Sequence, residues 1–235
     1  MPDTRHPHTP ENVAALFGAI QPQFGQVHIR NRGRLPHWEM DSGLYFITFR
    51  LADALPRAVL TKVAERHRIL ETARISGIQL SPEQEAELAD YSPSRIEAYC
   101  DHGSGSCALK DSRIAGAMAA ALRFRDRKHY RLIAWCIMPN HVHVVVRLLP
   151  GALLAAILKS WKQFSSKAAN EVIGQRGRFW QREYYDHLIR NEQEFSRAIQ
   201  YVLENPAKAA LKNWPSVWSE LSAHGVDAEV CASAT

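Results

Sequence analysis

The chain has few cysteines and no long hydrophobic run. Its four cysteines, Cys100, Cys107, Cys136 and Cys231, form no CxxC pair within the 235 residues, so the sequence predicts neither a structural zinc site nor a disulfide framework. No apolar run reaches the length of a transmembrane helix, and the polar start does not resemble a signal peptide. We therefore expect a globular protein without a membrane partner, located in the cytoplasm.

Composition along the chain predicts one main domain between two loose ends. Residues 1–28, rich in His, Pro and Gln, are predicted to be a flexible leader, and residues 219–235 a frayed tail. The domain between them, residues 29–218, contains an acidic helical block at about 52–108. This block follows an alternating segment that is predicted to be the first strand, and it separates that strand from a predicted helix at 109–126.

The most informative pattern is His141-Val142-His143. Alternate side chains of a strand point to the same face, so both imidazoles are predicted to lie together and could bind one metal ion. Pro139-Asn140 before them predicts a tight turn between antiparallel strands at roughly 130–138 and 141–149. Val142, Val144 and Val146 then face the opposite way. Two hydrogen-bonded histidines without a metal are the alternative that the strand by itself leaves open.

A second pattern is the amphipathic helix predicted at residues 191–206. Phe195, Ala198, Ile199, Val202 and Leu203 recur at helical spacing and form its apolar stripe. Tyr201 and Asn205 are one turn apart at the margin of that stripe, so both could face one site. A tyrosine at the edge of a core and an asparagine that ends the helix before Pro206 would give the same pattern.

Positive charge is concentrated around the histidine pair. Residues 109–190 carry 15 basic and 5 acidic side chains, a net charge of +10, which favours an anionic polymer such as nucleic acid as the partner. Candidate DNA contacts are Lys159, Lys162 and Lys167 on a predicted helix, Arg30, Arg32 and Arg34 in a basic run, and Trp38 for base stacking. Solvated charges and a core tryptophan are the simpler interpretation of each.

Several motifs in order resemble the single-tyrosine transposases of the HUH superfamily, most closely the REP-associated tyrosine transposases of bacteria. The resemblance covers roughly residues 30–218. The motifs that carry it are RLPHW at 34–38, YFITFR at 45–50, MPNHVH at 138–143, LKSWK at 158–162, FWQ at 179–181, YDH at 185–187 and YVLENP at 201–206. MPNHVH followed by Tyr-x-x-x-Asn-Pro is the specific part of this set.

The resemblance implies an α+β fold, a ferredoxin-like or RRM-like antiparallel sheet with helices packed on it and the helical insertion after the first strand. It implies that His141 and His143 bind a divalent metal, Mg²⁺ or Mn²⁺, with Asn205 completing the shell, and that Tyr201 is the nucleophile. Single-stranded or hairpin DNA would be cut and rejoined through a 5′-phosphotyrosine, by a nucleoid-associated monomer or homodimer.

Two rival tyrosines and two rival functions stay open at this point. Tyr184 and Tyr185 are alternative nucleophiles, ranked below Tyr201 because neither has a ligand-type residue at helical spacing. The same fold could be a hairpin-DNA-binding protein with little catalysis, or a metal-dependent phosphoesterase in which Tyr201 is only structural. The resemblance does not indicate an acidic metal ligand, and the sequence does not assign one.

Overall fold

The computed structural model describes residues 7–20, 28–31, 36–89 and 91–222. The helices are α1 (Pro10–Ile20), α2 (Arg57–Ser76), α3 (Pro82–Ala89), α4 (Pro93–Asp101), α5 (Ser112–Arg123), α6 (Leu154–Ile173) and α7 (Glu192–Lys208). The strands are β1 (His28–Asn31), β2 (Pro36–Glu39), β3 (Leu44–Arg50), β4 (Tyr130–Ile137), β5 (His141–Leu148), β6 (Tyr185–Leu188) and β7 (Val217–Ser219).

The main sheet has five antiparallel strands in the order β6-β3-β5-β4-β7. Without the edge strand β7, this is the strand order of a ferredoxin-like β-α-β-β-α-β unit, in which β3, β4, β5 and β6 are the four strands. The predicted α+β class is therefore confirmed. The short ribbon of β1 and β2 forms a separate two-stranded sheet.

Helices cover both faces of the main sheet. On one face, α5 and α6 enclose a core with Tyr45, Phe49 and Trp161 among its members. On the other face, α1 and α7 pack through Val13, Leu16, Ile20, Phe195, Ile199 and Val202. Burial of apolar side chains at about 25 cal/mol per Å² is the main force that holds helices to a sheet, so the amphipathic stripes decide which side each helix takes.

Strand β5 alternates between these two cores as its sequence predicts. Val142, Val144 and Val146 belong to the core under α5 and α6, whereas Val145 belongs to the core under α7. His141 and His143 have the parity of Val145, so both lie on the face that α7 covers. The hairpin between β4 and β5 turns at Pro139-Asn140, and Met138 donates its N–H to the His141 carbonyl at 2.8 Å.

The helical insertion is tied back to this hairpin. Its own small core contains Leu55, Ile96 and Cys100, which join α2 to α4. Asn140 then donates from its amide nitrogen to the carbonyl oxygens of Cys100 at 3.0 Å and Ser104 at 2.8 Å. These bonds fix the end of α4 beside the turn that precedes the two histidines.

The ends of the chain differ in part from the prediction. Within the predicted leader, residues 10–20 are not loose but form α1, because Val13, Leu16 and Ile20 recur at helical spacing and are buried against the α7 side of the sheet. In the predicted tail, Ser219 ends β7, and residues 223–235 lie outside the described part, as do 1–6 and 21–27. Among the described helices, none combines the length and apolarity needed to cross a membrane.

Candidate active site

The two histidines lie fully buried at the start of β5, and their second ring nitrogens are held by fixed partners. The Nδ1 of His141 is 2.7 Å from Oδ1 of Asn140. Because the Asn140 amide nitrogen already donates to two carbonyls, Oδ1 is the acceptor, and His141 carries its proton on Nδ1. The lone pair of His141 is therefore on Nε2.

A carboxylate indicates the same tautomer for His143. Its Nδ1 is 2.8 Å from Oγ1 of Thr48 and 3.5 Å from Oε1 of Glu97. A carboxylate only accepts, so the nitrogen beside it carries the proton, and Nδ1–H of His143 donates to Thr48. Within the described part of the chain, Nε2 of both histidines is buried and has no hydrogen-bond partner. Fixing one ring nitrogen and leaving the other free is how proteins orient a metal-ligating histidine.

Both imidazoles are neutral near pH 7. Burial, together with the smaller effect of the nearby Arg50 guanidinium, lowers the pKa of His141 to about 3. Burial, His141 and Arg50 together hold the pKa of His143 well below its usual range. Neutral imidazole is the form that binds a metal ion, so the site requires no deprotonation step before it can act as a ligand pair.

These two pKa shifts predict acid sensitivity of the fold. Unfolding raises each histidine pKa to about 6.5, so below that pH the unfolded chain binds more protons and stability falls as pH falls. Each buried histidine should remove about 1.4 kcal/mol of stability per pH unit below 6.5. The raised pKa values of Glu97 and Asp101 have the opposite effect, because these carboxyl groups stabilise the folded state as the pH falls. The contribution of the histidines is therefore measured against a variant that lacks them.

The measurement is chemical unfolding in EDTA between pH 7.5 and 5. As the pH is lowered, the free energy of unfolding of the wild type should fall more steeply than that of a His141→Asn/His143→Asn double variant. Equal slopes for the two proteins would show that these histidines already protonate in the folded state.

Helix α7 brings Tyr201 to the same place within one chain. Its ring centroid lies 5.2 Å from that of His143 and 5.6 Å from that of Phe46, in edge-to-face contacts. The Glu97 carboxylate lies near the Tyr201 hydroxyl and interacts with it electrostatically. Burial, followed by the charges of Glu97 and Asp101, raises the pKa of Tyr201. The hydroxyl is therefore protonated and held at the edge of the histidine pair.

Asn205 lies one turn further along α7 and is fully buried. Neither its amide oxygen nor its amide nitrogen has a hydrogen-bond partner in the described part of the protein. The helix does not end at Asn205-Pro206, as an Asn-Pro pair predicts, but continues to Lys208. Such a buried amide costs on the order of 1–3 kcal/mol if it stays unpaired, so its position favours a ligand role.

The site also contains side chains that sequence analysis missed. Glu97 and Asp101 on α4 reach the histidines, with Oε1 of Glu97 3.5 Å from Nδ1 of His143 and Oδ1 of Asp101 3.7 Å from Nε2 of His141. Arg50 lies opposite His141 in the β3–β5 register. The signal that could have pointed to the pair is their i, i+4 spacing on a predicted helix.

The rival tyrosines occupy different positions. Tyr185 pairs with Thr48 across β6 and β3, and its ring lies 6.4 Å from that of Phe46. Tyr184 instead packs near Lys162, whose Nζ lies 5.4 Å from its ring centroid. Of the two, only Tyr185 lies in the same row across the sheet as His143, because both residues pair with Thr48.

The predicted DNA-contacting residues are spread over several elements. Lys159 and Lys167 are exposed on α6, where Phe164 beside them is 56% exposed. Lys162 instead donates to the carbonyl oxygens of residues 181 and 182 at 2.9 and 3.2 Å, and burial lowers its pKa to about 8. Arg30 and Trp38 are in the β1–β2 ribbon, where only the backbone is described, and Arg32 and Arg34 lie outside the described residues.

A groove beside α6 gathers basic and aromatic side chains. It has a volume of about 510 Å³ and is lined by Lys159, Lys162, Arg178, Arg182 and Tyr184, among others. Its rim is continuous with the site end of the sheet, because Gln181 donates its N–H to the Arg50 carbonyl at 2.9 Å. Trp161 and Trp180 are core residues, with indole N–H groups bonded to Tyr130 and Ser165.

The donor set fits one divalent ion with an open shell. Nε2 of both histidines and the amide oxygen of Asn205 are buried and unpartnered among the described residues. No three His, Cys, Asp or Glu side chains of that part come together as a closed metal group. Two imidazoles, an amide oxygen and remaining positions for phosphate oxygens or water are ligands that Mn²⁺ and Mg²⁺ accept.

Comparison with known proteins finds a family that is similar to part of this chain. Residues 113–205 match the family described as "Transposase IS200 like". The matched segment includes His141, His143, Tyr201 and Asn205. It begins after α4, so Glu97 and Asp101 lie outside it.

Two curated relatives are similar to part of the chain. A protein of Haemophilus influenzae, described as a candidate REP-associated tyrosine transposase, is 29% identical over 37% of this chain and 59% of its own length. The REP-associated tyrosine transposase of Escherichia coli is 23% identical over 41% of this chain and 58% of its length. The chain thus spans less than two thirds of these relatives.

A solved structure described as a REP-associated tyrosine transposase bound to a REP hairpin is 15% identical, with a TM-score of 0.45, over 79% of this chain and 82% of that one. The family match and the curated relatives confirm the resemblance to the REP-associated tyrosine transposases that the motifs imply, and residues 113–205 are the part of the chain that matches the IS200-like family.

Proposed function

We propose that the protein is a metal-dependent single-tyrosine DNA endonuclease and strand transferase that acts on single-stranded or hairpin DNA of a palindromic repeat. One observation carries this proposal. Tyr201 lies in ring contact with His143, beside two unpartnered imidazole nitrogens and an unpartnered amide. A nucleophile next to a metal-ligand set is the arrangement that covalent phosphoryl transfer needs.

The chain's own residues would carry the transfer as follows. The Tyr201 oxygen attacks the phosphorus of a DNA phosphodiester, and its proton passes to the carboxylate of Glu97, whose charge acts on the Tyr201 hydroxyl. The bond from phosphorus to the 3′ oxygen breaks, and that oxygen takes up a proton and leaves as a 3′-hydroxyl. The product is a 5′-phosphotyrosine, whose ester a second 3′-hydroxyl can attack to rejoin a strand.

Mg²⁺ or Mn²⁺, held by His141, His143 and Asn205, would withdraw electron density from a non-bridging phosphate oxygen. The Arg50 guanidinium, opposite His141 on β3, adds positive charge at the same end of the sheet. Fixed positive groups at the place where negative charge builds lower the barrier of phosphoryl transfer.

The test is covalent attachment. The protein is incubated with labelled single-stranded repeat DNA and Mn²⁺, and a band of protein joined to DNA is sought on a denaturing gel. Cleaved DNA without such a band would favour the phosphoesterase alternative, and binding without cleavage the binding-protein alternative.

The exposed lysines of α6 should contribute to the affinity for DNA and not to the cleavage reaction. Lys159 and Lys167 are eight residues apart on one face of the helix, with the exposed Phe164 near Lys167. We expect a Lys159→Gln/Lys167→Gln variant to bind single-stranded DNA about tenfold more weakly at low salt. The slope of log affinity against log salt should fall by about 1.4, because each phosphate contact to a single strand contributes about 0.7.

The matched control removes two exposed positive charges elsewhere, by Arg57→Gln and Lys212→Gln. It should lower affinity less and leave the salt slope nearly unchanged. Equal effects of the two double variants would mean that net charge, and not the α6 face, determines binding. Both are measured by fluorescence anisotropy over a salt series.

A further inference from the structure

Two buried atoms without partners face each other in this site. Oδ1 of Asp101 and Nε2 of His141 are 3.7 Å apart, and neither has a hydrogen-bond partner within the described residues. With its proton on Nδ1, His141 presents a lone pair from Nε2, and the carboxylate oxygen presents another. Two acceptors in a buried space attract each other only if a cation lies between them.

Asp101 is placed at a cost to its own helix. It is the last residue of α4, where the partial negative charge of the helix C-terminus disfavours a carboxylate. Burial raises the pKa of the same group, and the charges of His102, Arg50 and Lys208 offset only part of that rise. A carboxylate with one unpaired buried oxygen at this end of a helix is stabilised by a further positive partner.

Hydrogen bonds of Asn140 hold Asp101 in a defined position relative to His141. Asn140 connects the two sides, since its amide nitrogen donates to the Cys100 carbonyl, next to Asp101, and its amide oxygen accepts from His141. One buried side chain therefore fixes both the end of α4 and the ring of His141. The separation of the two unpartnered atoms is set by this shared contact.

We infer that Asp101 is a carboxylate ligand of the divalent ion that His141 and His143 bind, so that the helical insertion supplies part of the metal site. Ligands of such an ion lie about 2.1 Å from it, so two in adjacent positions are about 3 Å apart. A closure of less than about 1 Å from 3.7 Å brings Asp101 into place. This inference rests on the metal site of the proposed function.

The experiment measures metal binding itself, without DNA. Mn²⁺ is titrated into the full chain and followed by electron paramagnetic resonance of the free ion. Asp101→Asn keeps the shape of the side chain and removes its charge, and should raise the Mn²⁺ dissociation constant at least tenfold. Glu85→Gln, which removes an exposed carboxylate from α3 of the same insertion, should leave it unchanged.

Thermal unfolding separates a ligand from a structural carboxylate. In EDTA, Asp101→Asn should melt at the same temperature as the wild type or higher, because an unpaired buried charge is removed. Added Mn²⁺ should raise the wild-type melting temperature, since a ligand that binds only the folded state stabilises it. The variant should lose most of that rise.

Three other results would reject Asp101 as a ligand, the metal site or the proposed function, respectively. Normal Mn²⁺ binding by Asp101→Asn, together with its loss in His141→Ala, would reject Asp101 as a ligand and leave the proposed function intact. Absence of Mn²⁺ binding by the wild type would reject the metal site and this inference with it. A wild type that binds Mn²⁺ through Asp101 but forms no DNA adduct would reject the proposed function alone.

Discussion

Tyr201→Phe is expected to abolish the covalent adduct with DNA while leaving DNA binding within about threefold of wild type. The substitution removes only the hydroxyl, which lies near Glu97, and keeps the ring contacts with His143 and Phe46. Without its oxygen no phosphotyrosine can form, so adduct formation should fall by at least about a thousandfold, as for other nucleophile deletions. A denaturing gel measures the adduct and anisotropy measures binding.

Tyr185→Phe and Tyr184→Phe are the matched controls, because both are rival nucleophiles. Tyr185 lies in the row of the sheet that contains Thr48 and His143. It is therefore near the histidines, but unlike Tyr201 it is not one helical turn from Asn205. Its replacement tests whether a tyrosine near the histidines is enough for adduct formation. Both variants should keep at least about a third of the wild-type adduct. An adduct that survives in Tyr201→Phe and disappears in Tyr185→Phe would move the nucleophile to β6.

His143→Ala is expected to have the second large effect, through the metal ion. Nε2 of His143 is one of two buried imidazole donors, and both ring nitrogens are lost in the variant. We expect adduct formation to fall at least about a thousandfold, since the charge on the phosphate is then no longer offset. Removing metal from the wild type with EDTA should give the same loss, and Mn²⁺ should restore activity to the wild type only.

His129→Ala is the control, because His129 is exposed and precedes β4. It should match the wild type in adduct formation and in its response to EDTA. If EDTA-treated wild type still forms the adduct at full rate, the chemistry does not need the ion. The histidines would then be structural, which is the alternative that the strand pattern by itself leaves open.

Local patterns predicted the two faces on which the site is built. Alternation along β5 placed His141 and His143 opposite Val142 and Val144, and the structure confirms that division between two cores. The stripe of α7 was predicted from Phe195, Ile199 and Val202, all of which are buried. The roles of Tyr201, Asn205 and the histidine pair stay predictions.

Other features could not be read from local patterns. The insertion was predicted as an acidic helical block, yet Glu97 and Asp101 within it are partly buried beside the histidines. Their i, i+4 spacing places both carboxylates on one face of α4, but it does not show that this face turns inward. Likewise α1 was missed because its leader is rich in turn formers, whereas its apolar spacing matters only once the sheet is present to bury it.

The sequence by itself determined which side of each element is apolar and which residues share that side, because helix and strand periods are properties of the local backbone. The tertiary structure alone decided which elements face each other. The bonds of Asn140 bring the end of α4 to the His141 turn, across about forty residues of chain. Periodicity gives the direction of a side chain from its own element, and only packing determines what it meets there.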